Sequence, residues 1–249
     1  MPWRVVWITG ASTGIGAEIA KQLAEQDVIV ATSARKVDVL NAAAKLNSNL
    51  KPYPLDVTDA AAVATTFAQI ENDLGAVDLI IAGAGTYAPL HLDQFKAEAF
   101  QSTYQVNYLG VINVLAAILP TFRAKKSGHI AWIASVAGYI GLPQAASYGP
   151  TKAALINLAE CLQPDLAVEG ITTSIINPGF VKTPLTAQND FDMPFLMEVE
   201  DAARLTIAGL AKKKFEIAYP WKFVWILKAL QLLPYNWFFA LVRKFVLKR

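Results

Sequence analysis

Gly10-Ala-Ser-Thr-Gly14-Ile-Gly16 is a glycine-rich segment that indicates the fold class of this chain. It follows an apolar run, residues 5–8, and precedes a helical pattern over residues 17–25. Glycines at this spacing let the backbone turn tightly and approach a pyrophosphate, whose charge the amides at the start of the helix attract. Glycines also occur in tight turns of every kind, so the flanking elements matter. A strand, this loop and a helix in order predict the first βαβ unit of a nucleotide-binding domain.

The rest of the chain alternates apolar runs with helical patterns. Continuous apolar runs are typical of parallel strands that are buried on both faces. The alternation predicts an α/β fold with a doubly wound parallel sheet of seven strands, of the Rossmann type, and a ligand crevice at the carboxyl ends of the strands. The predicted strands are 4–9, 28–33, 51–55, 79–82, 129–134, 172–177 and 215–218. The predicted helices are 14–25, 37–46, 59–74 (with Thr58 as N-cap), 93–124, 147–168 and 200–212.

Length and composition favour one folded domain. A chain of 249 residues suits a single α/β domain, and its 54% apolar and 17% charged residues favour a large buried core over disorder. Cys161 is the sole cysteine, which excludes an internal disulfide and fits a reducing compartment. We expect it to be buried in a helix. The N-terminus lacks a basic segment followed by a long apolar one, so we expect no signal peptide and a cytoplasmic location.

Three polar residues far downstream can perform chemistry on a bound nucleotide. Tyr148 and Lys152 are four residues apart, so on a helix they share one face. A free phenol has a pKa of about 10, and a neighbouring ammonium is expected to lower it by roughly 1–3. Ser135 follows a predicted strand, so its hydroxyl can point into the crevice and bind a substrate oxygen. Taken singly, each has an ordinary alternative: a chance pair on a helix, or a serine in a turn.

Six segments stand in a characteristic order: Thr9 to Gly16, Asp56-Val57, Asn107, Ser135, Tyr148-Gly-Pro-Thr-Lys152 and Asn177-Pro178-Gly179. In order and spacing they resemble the short-chain dehydrogenase/reductase family, over about residues 3–218. The resemblance implies an NAD(P)-dependent oxidoreductase in which Tyr148 donates or accepts a proton and Ser135 orients the carbonyl. It also implies that Lys152 tunes Tyr148 and holds the nicotinamide ribose, while Asn107 positions a water that relays protons. A homodimer or homotetramer, formed through helices 93–124 and 147–168, is a further implication.

The end of the second strand bears on the choice of cofactor. Ala34 stands where an acid would bind a ribose 2′-hydroxyl, and Arg35 and Lys36 follow it. A guanidinium there can hold a 2′-phosphate through charge-assisted bonds of roughly 1.5–3 kcal/mol, so NADP(H) is favoured over NAD(H). The alternative is a solvated arginine at a helix start. The resemblance extends the expected cofactor-binding set to Gly10, Ser12, Gly14, Ile15, Gly16, Arg35, Asp56, Val57, Ala84, Lys152, Pro178, Gly179, Val181 and Thr183.

Two departures from the family pattern stand out. The usual Asn-Asn-Ala-Gly after the fourth strand is here Ala82-Gly83-Ala84-Gly85, so the amide side chains that brace the sheet are missing. Pro150 interrupts the Tyr–Lys segment, and we expect the helix to begin about a turn before it. His91 and His129 lack metal-ligand spacing, and no metal site is expected.

The chain divides by composition into a catalytic domain, residues 1–219, and a tail, residues 220–249. The tail holds six basic residues and no acidic one, while the remaining 16 basic residues face 20 acidic ones. Its longest uncharged run, residues 229–242, is shorter than the roughly 20 apolar residues of a membrane span. Beyond Pro234, polar and aromatic residues fall largely on opposite faces of a helix. The tail is therefore expected either to lie on an anionic membrane or to pack on its own domain or a second subunit.

The function expected is an NADPH-dependent reductase, or the reverse dehydrogenase, acting on a carbonyl or alcohol. Segments 136–142 and 184–197 are expected to form the substrate pocket, and the apolar second segment favours a hydrophobic or lipid-like substrate. The alternative is a dinucleotide-binding interaction module at the membrane with little turnover. The intact set of Ser135, Tyr148 and Lys152 counts against it. No nucleic-acid partner is expected.

Overall fold

A computed structural model describes residues 1–246 as a seven-stranded parallel sheet with helices on both faces. The strand order is β3-β2-β1-β4-β5-β6-β7, which confirms the doubly wound α/β fold with a helical C-terminal segment. The strands are β1 Val5–Thr9, β2 Ile29–Ser33, β3 Leu50–Pro52, β4 Leu79–Ala82, β5 His129–Ile133, β6 Thr172–Pro178 and β7 Glu216–Tyr219. The helices are α1 Gly14–Ala24, α2 Val37–Leu46, α3 Ala60–Leu74, α4 Ala97–Tyr104, α5 Gly110–Lys125, α6 Gly149–Val168, α7 Val199–Ala211, α8 Trp221–Gln231 and α9 Tyr235–Leu241.

Two hydrophobic cores hold the layers together, one on each face of the sheet. Trp7, Trp132 and Phe122 are fully buried in one core, and Ile8 and Ile19 in the other. Both buried indole N–H groups are satisfied, because Trp7 donates to the Ser33 hydroxyl and Trp132 to the Leu155 carbonyl, each at 3.0 Å.

The sheet register brings the site loops to one edge. Thr9, at the end of β1, pairs with Ser33 of β2 on one side and Ala82 of β4 on the other. Strands β2 and β3 lie on one side of β1, and β4 and β5 lie on the other. The loops that follow β1 and β4 therefore diverge and leave a crevice.

The segment Ala97–Lys125 is one stretch, within the described part of the chain, that is long and apolar enough to cross a membrane. Its apolar residues Val111, Val114, Ile118 and Phe122 are buried in the core, which accounts for its composition. A π-helical turn, Gln105–Leu109, divides this segment into α4 and α5, where the sequence predicted one helix over 93–124.

Three differences from the predicted helix and strand ends have a clear physical cause. Asp59, not Thr58, caps α3, because its carboxylate accepts the Ala62 amide at 2.9 Å while the Thr58 hydroxyl donates to Asp56. Helix α6 begins at Gly149, so Pro150 lies in its first turn, where the missing amide is harmless. Strand β3 covers residues 50–52 and not 51–55; Pro52 and Pro54 lack the amides that a longer ladder needs.

The prediction that Cys161 is buried is wrong: the thiol is exposed. Helix α6 turns Leu155, Ala159 and Leu166 toward the core. At 100° per residue, Cys161 falls on the opposite side of this helix.

Candidate active site

An open cleft of about 340 Å³ lies at the carboxyl ends of the strands. The loops that follow strands β1 to β6 line it. All fourteen residues of the expected cofactor set lie on its wall, as do Ser135 and Tyr148. Asn107 does not line the cleft and lies behind the loop that follows β4.

The glycine loop packs directly against the loop after β4. Gly10 has φ +72°, and a Cβ there would come within 2.6 Å of the Ala84 nitrogen and the Gly83 carbonyl. A Cβ on Gly16 would lie 2.6 Å from the Gly10 oxygen. The Thr9 hydroxyl accepts hydrogen bonds from the Gly83 and Ala84 amides, at 3.2 and 3.4 Å. Thr9 therefore braces the loop whose bracing side chains the sequence lacks.

The start of α1 suits a phosphate. Thr13 is the N-cap and its side chain makes no capping hydrogen bond within the described chain, so no side chain satisfies the first amides of α1. Such amides, with the helix dipole, bind phosphate groups. A Cβ on Gly14 would lie 3.2 Å from Cγ2 of Thr183, so the glycine loop also meets the loop after β6. The cleft thus fits the pyrophosphate of a dinucleotide.

Arg35 and Asp56 lie together at the far end of the cleft. The Asp56 carboxylate accepts the Thr58 amide at 3.0 Å and the Thr58 hydroxyl at 2.8 Å. These bonds, and then the Arg35 charge, hold the pKa of Asp56 below its ordinary value against the effect of burial. Arg35 is exposed, and among the described residues no hydrogen bond or ion pair holds its guanidinium.

Asn107 is held in the π-helical turn between α4 and α5. It is fully buried; its Oδ1 accepts the Thr86 amide at 2.7 Å, and its Nδ2 donates to the Thr86 carbonyl at 2.9 Å. The same Nδ2 donates to the Thr151 hydroxyl at 3.3 Å. A Cβ on Gly85 would lie 3.5 Å from Oδ1 of Asn107 and 3.7 Å from Nζ of Lys152. The Asn107 and Lys152 side chains therefore both lie close to Gly85, and a Cβ at this position would be in van der Waals contact with each of them.

Ser135 and Tyr148 immediately precede a short 3₁₀ turn and helix α6, respectively. Ser135 caps the short 3₁₀ turn after β5; its hydroxyl accepts the Ala137 amide at 3.1 Å and donates to the Pro178 carbonyl at 3.3 Å. Tyr148 immediately precedes α6, and the Tyr87 ring meets its ring edge-on at 5.0 Å between centroids.

Lys152 is buried beside Tyr148. Its Nζ donates to the Ile133 carbonyl at 2.8 Å and lies 5.4 Å from the centroid of the Tyr148 ring. Burial lowers the pKa of Lys152 to about 7. Burial also raises the pKa of Tyr148 to about 12; the hydrogen bond with Ser135 opposes this shift and Tyr87 adds to it.

The expectation that Lys152 lowers the phenol pKa is therefore corrected. Removing a phenolate from water outweighs the attraction of a cation that is itself close to losing its charge. At neutral pH the Tyr148 phenol is protonated, and a protonated phenol is the form that can give a proton to a carbonyl oxygen.

A sequence-family comparison decides the identity of the fold. The model of the short chain dehydrogenase family matches residues 4–193 of this chain. The chain belongs to the short-chain dehydrogenase family. The protein is an NAD(P)-dependent oxidoreductase that acts on CH–OH and C=O groups.

Relatives and solved structures of short-chain dehydrogenases agree with this assignment. An oxidoreductase of Myxococcus xanthus is 34% identical over 248 residues, which cover 98% of both chains. A short-chain dehydrogenase from Sphingobium yanoikuyae in complex with NADPH is 26% identical, with TM-score 0.79, covering 87% of this chain and 88% of that one. A short-chain dehydrogenase/reductase from Burkholderia phymatum in complex with NAD is 22% identical, with TM-score 0.83, covering 90% of this chain and 92% of that one.

Three site residues of this short-chain dehydrogenase escaped the sequence analysis. Thr86 and Thr151 hold Asn107, and Tyr87 contacts Tyr148 while its hydroxyl donates to Asn189 at 2.9 Å. Thr151 stands inside the Tyr–Lys segment, directly before Lys152, and this position was a usable signal. Thr86 and Tyr87 carried none, because only the tertiary fold brings their loop to α6.

Proposed function

We propose that the protein is an NADP(H)-dependent carbonyl reductase, or the reverse alcohol dehydrogenase, for a hydrophobic substrate. The observation that carries the proposal is the grouping of Ser135, Tyr148 and Lys152 at one end of a cleft whose other end holds Arg35. Residues 1–219 form the catalytic unit in this proposal, and residues 220–249 serve a separate contact.

The chain's own residues have distinct tasks in the reduction. Reduced nicotinamide supplies a hydride to the carbonyl carbon when it is bound. The Tyr148 phenol, protonated at neutral pH, donates its proton to the carbonyl oxygen. The Ser135 hydroxyl gives that oxygen a hydrogen bond and so orients it. Lys152, close to half-charged at neutral pH, stabilises the resulting phenolate and returns a proton toward it.

Asn107 acts indirectly in this proposal, through a bound water molecule. Its Nδ2 donors are engaged by Thr86 and Thr151, but its Oδ1 keeps one lone pair beyond the Thr86 bond. That lone pair can hold a water beside Lys152, through which the amine regains a proton.

Arg35 supports the preference for NADP(H). Its exposed guanidinium has no partner among the described residues, and the nearest acid, Asp56, is engaged by Thr58. A 2′-phosphate would provide the anion that this guanidinium lacks. A ribose 2′-hydroxyl would find no carboxylate at Ala34.

A hydrophobic substrate is supported by the aromatic rings around segment 184–197. Phe191 packs edge-on against Phe180 at 5.9 Å between centroids, and Phe195, Phe191 and Leu196 remain exposed. Pro184 and Leu185 of the same segment line the cleft, and an apolar lining favours an apolar ligand. The membrane-bound interaction module has no such observation in its favour, and it leaves Tyr148 and Lys152 without a purpose.

Assembly and location complete the proposal. Phe95, Tyr104 and Val168 are exposed apolar residues on or near the helices expected to pair subunits, which supports a homodimer or homotetramer through 93–124 and 147–168. We also propose a cytoplasmic location with a peripheral hold on a membrane through the C-terminal helices.

Transfer of deuterium from NADPH to a ketone tests this function. NADPH deuterated at the reactive nicotinamide carbon is incubated with the enzyme and a panel of long-chain and cyclic ketones. The expected product is an alcohol with deuterium on the carbinol carbon, formed faster with NADPH than with NADH. Absence of deuterated alcohol from every ketone and aldehyde, with the enzyme folded and NADPH bound, contradicts the reductase activity.

A further inference from the structure

The C-terminal helices expose a large apolar surface. Helix α8 buries Phe223, Val224 and Leu227 on the domain and turns Trp221 and Trp225 outward, with 67% and 68% of their surfaces exposed. Helix α9 buries one of its residues, Phe238. The outward residues, here called the tail face, are Trp221, Trp225, Ile226, Leu232, Tyr235, Trp237, Phe239, Leu241 and Phe245.

The charge around the tail face has one sign. The chain from residue 220 onward holds six basic residues and no acidic one, and Lys222, Arg243 and Lys244 are exposed. Lys228 is engaged by Glu216 and lies over the Tyr139 ring. The rest of the protein carries more acidic than basic residues, so an anionic surface attracts this end of the molecule and repels the remainder.

We propose that the tail face docks on an anionic lipid bilayer. Tryptophan and tyrosine side chains settle at the headgroup level of a membrane, where cations meet the lipid phosphates. A second copy of this chain is a poorer occupant, because a two-fold interface places the same patch on both sides and brings its cations together. A bilayer satisfies the aromatic and the cationic residues at once.

The docking surface is tied to the substrate side of the active site. Phe223 of α8 stacks on Phe180 at 5.5 Å and packs against Phe195 at 6.0 Å between centroids. At the C-terminal end of α8, Gln231 donates to the Tyr139 carbonyl at 2.6 Å. Helix α8 therefore joins both segments expected to form the substrate pocket. An apolar substrate dissolved in the bilayer would meet the enzyme at this side; that consequence rests on the proposed reductase activity.

Co-sedimentation with vesicles tests the docking. The full-length protein is mixed with vesicles of phosphatidylcholine alone, or of equimolar phosphatidylcholine and phosphatidylglycerol, and the pelleted fraction is measured. We expect binding to the anionic vesicles only. The double variant Trp221→Ser/Trp225→Ser should bind them at least about tenfold less well. Each of the changes Lys222→Gln, Arg243→Gln and Lys244→Gln should weaken binding by roughly fivefold at low salt, and added salt should weaken the unaltered protein.

A matched control removes apolar surface elsewhere. Leu46 and Leu92 are 90% and 91% exposed and lie outside the tail, so Leu46→Ser/Leu92→Ser should bind the anionic vesicles like the unaltered protein. Circular dichroism and thermal unfolding check that all variants fold. The proposal is overturned if the unaltered protein stays in the supernatant, or if the tryptophan variant pellets like the control. It is also overturned if ultracentrifugation shows a dimer that the tryptophan variant loses.

Turnover of a short, water-soluble ketone without vesicles separates this proposal from the proposed function. If the unaltered protein reduces the ketone but does not bind anionic vesicles, the docking proposal alone is overturned. Vesicle binding without turnover of any carbonyl supports the docking and overturns the reductase activity.

Discussion

The Nζ of Lys152 lies 5.4 Å from the centroid of the Tyr148 ring and donates a 2.8 Å hydrogen bond to the Ile133 carbonyl. This geometry sets a buried amine beside a partly buried phenol. Burial drives the pKa of the amine down to about 7 and that of the phenol up to about 12. At neutral pH the Tyr148 phenol is therefore protonated and able to give a proton, while Lys152 is close to half-charged.

Lys152→Met should stabilise the fold, most of all at low pH. The pKa of Lys152 is about 7 in the folded protein against an ordinary 10.5, so between these values the unfolded chain holds a proton that the folded chain lacks. Stability of the unaltered protein therefore rises with pH through this window, and the penalty of the buried charge is greatest below it. Methionine carries no such penalty.

Urea unfolding at about pH 6 and about pH 9 measures this effect. The gain in unfolding free energy from Lys152→Met should be larger at the lower pH, while catalytic activity is lost. An equal gain or loss at both values contradicts a depressed Lys152 pKa.

Arg35→Ala should reduce the preference for NADP(H). Losing one charge-assisted bond to the 2′-phosphate should lower kcat/KM for NADPH by about ten- to a hundredfold. The value for NADH should change little. Lys45→Ala, which removes an exposed cation from the helix α2 that follows Arg35, is the control. Equal losses with both cofactors would show that Arg35 does not contact the 2′-phosphate.

Gly10→Ala should weaken both the fold and cofactor binding. Gly75 offers a matched control, because it also has positive φ, +88°, but nothing lies within 4 Å of its Cβ position. Gly75→Ala should therefore cost only backbone strain, of about 1–3 kcal/mol. Gly10→Ala adds to such strain a 2.6 Å clash with the Ala84 nitrogen, so it should cost about 2 kcal/mol more than Gly75→Ala, with weaker quenching of protein fluorescence by NADPH. Similar costs for the two variants would refute backbone contact between the loops.

His129 should make the fold sensitive to acid. Burial, and then the charge of Lys213, lowers its pKa from 6.5 to about 4. The folded protein keeps the ring neutral, so between these values the unfolded chain binds more protons, and stability is lost as pH falls through the window. His129→Gln should lose less unfolding free energy between about pH 7 and about pH 4 in urea titrations. A pH dependence unaltered by the substitution would contradict the buried, neutral histidine.

Much of the fold was predictable because parallel strands bury both faces. The apolar runs of β1, β4 and β6 stand in the sequence within about a residue of their observed ends. The glycine loop was equally plain, since its spacing reflects close backbone contact. The features that the sequence did not predict depend on tertiary contacts. Thr58 and Asp59 are both able to cap a helix, and only the fold occupies Thr58 with Asp56.

The pKa values of the site residues could not be predicted from the sequence, because they too depend on tertiary contacts. A tyrosine and a lysine four residues apart predict proximity, but the direction of the phenol pKa depends on how much water the folded cleft admits. The contact of Tyr87 with Tyr148 joins residues 61 positions apart in the chain, through loops that meet only when the sheet is complete. Cys161 shows the same limit, because which face of α6 meets the core is decided by packing.

The steady-state rate of Tyr148→Phe shows whether the Tyr148 hydroxyl supplies the proton in the reduction. Ketone reduction by NADPH is followed at saturating cofactor, with Tyr108→Phe, a tyrosine outside the cleft, as control. Removing the proton donor should lower kcat by about 10²–10⁴-fold while the Kd for NADPH stays within about threefold of the original value. If Tyr148→Phe keeps a rate comparable to that of Tyr108→Phe, the Tyr148 hydroxyl does not supply the proton, and the proposed mechanism of reduction is wrong.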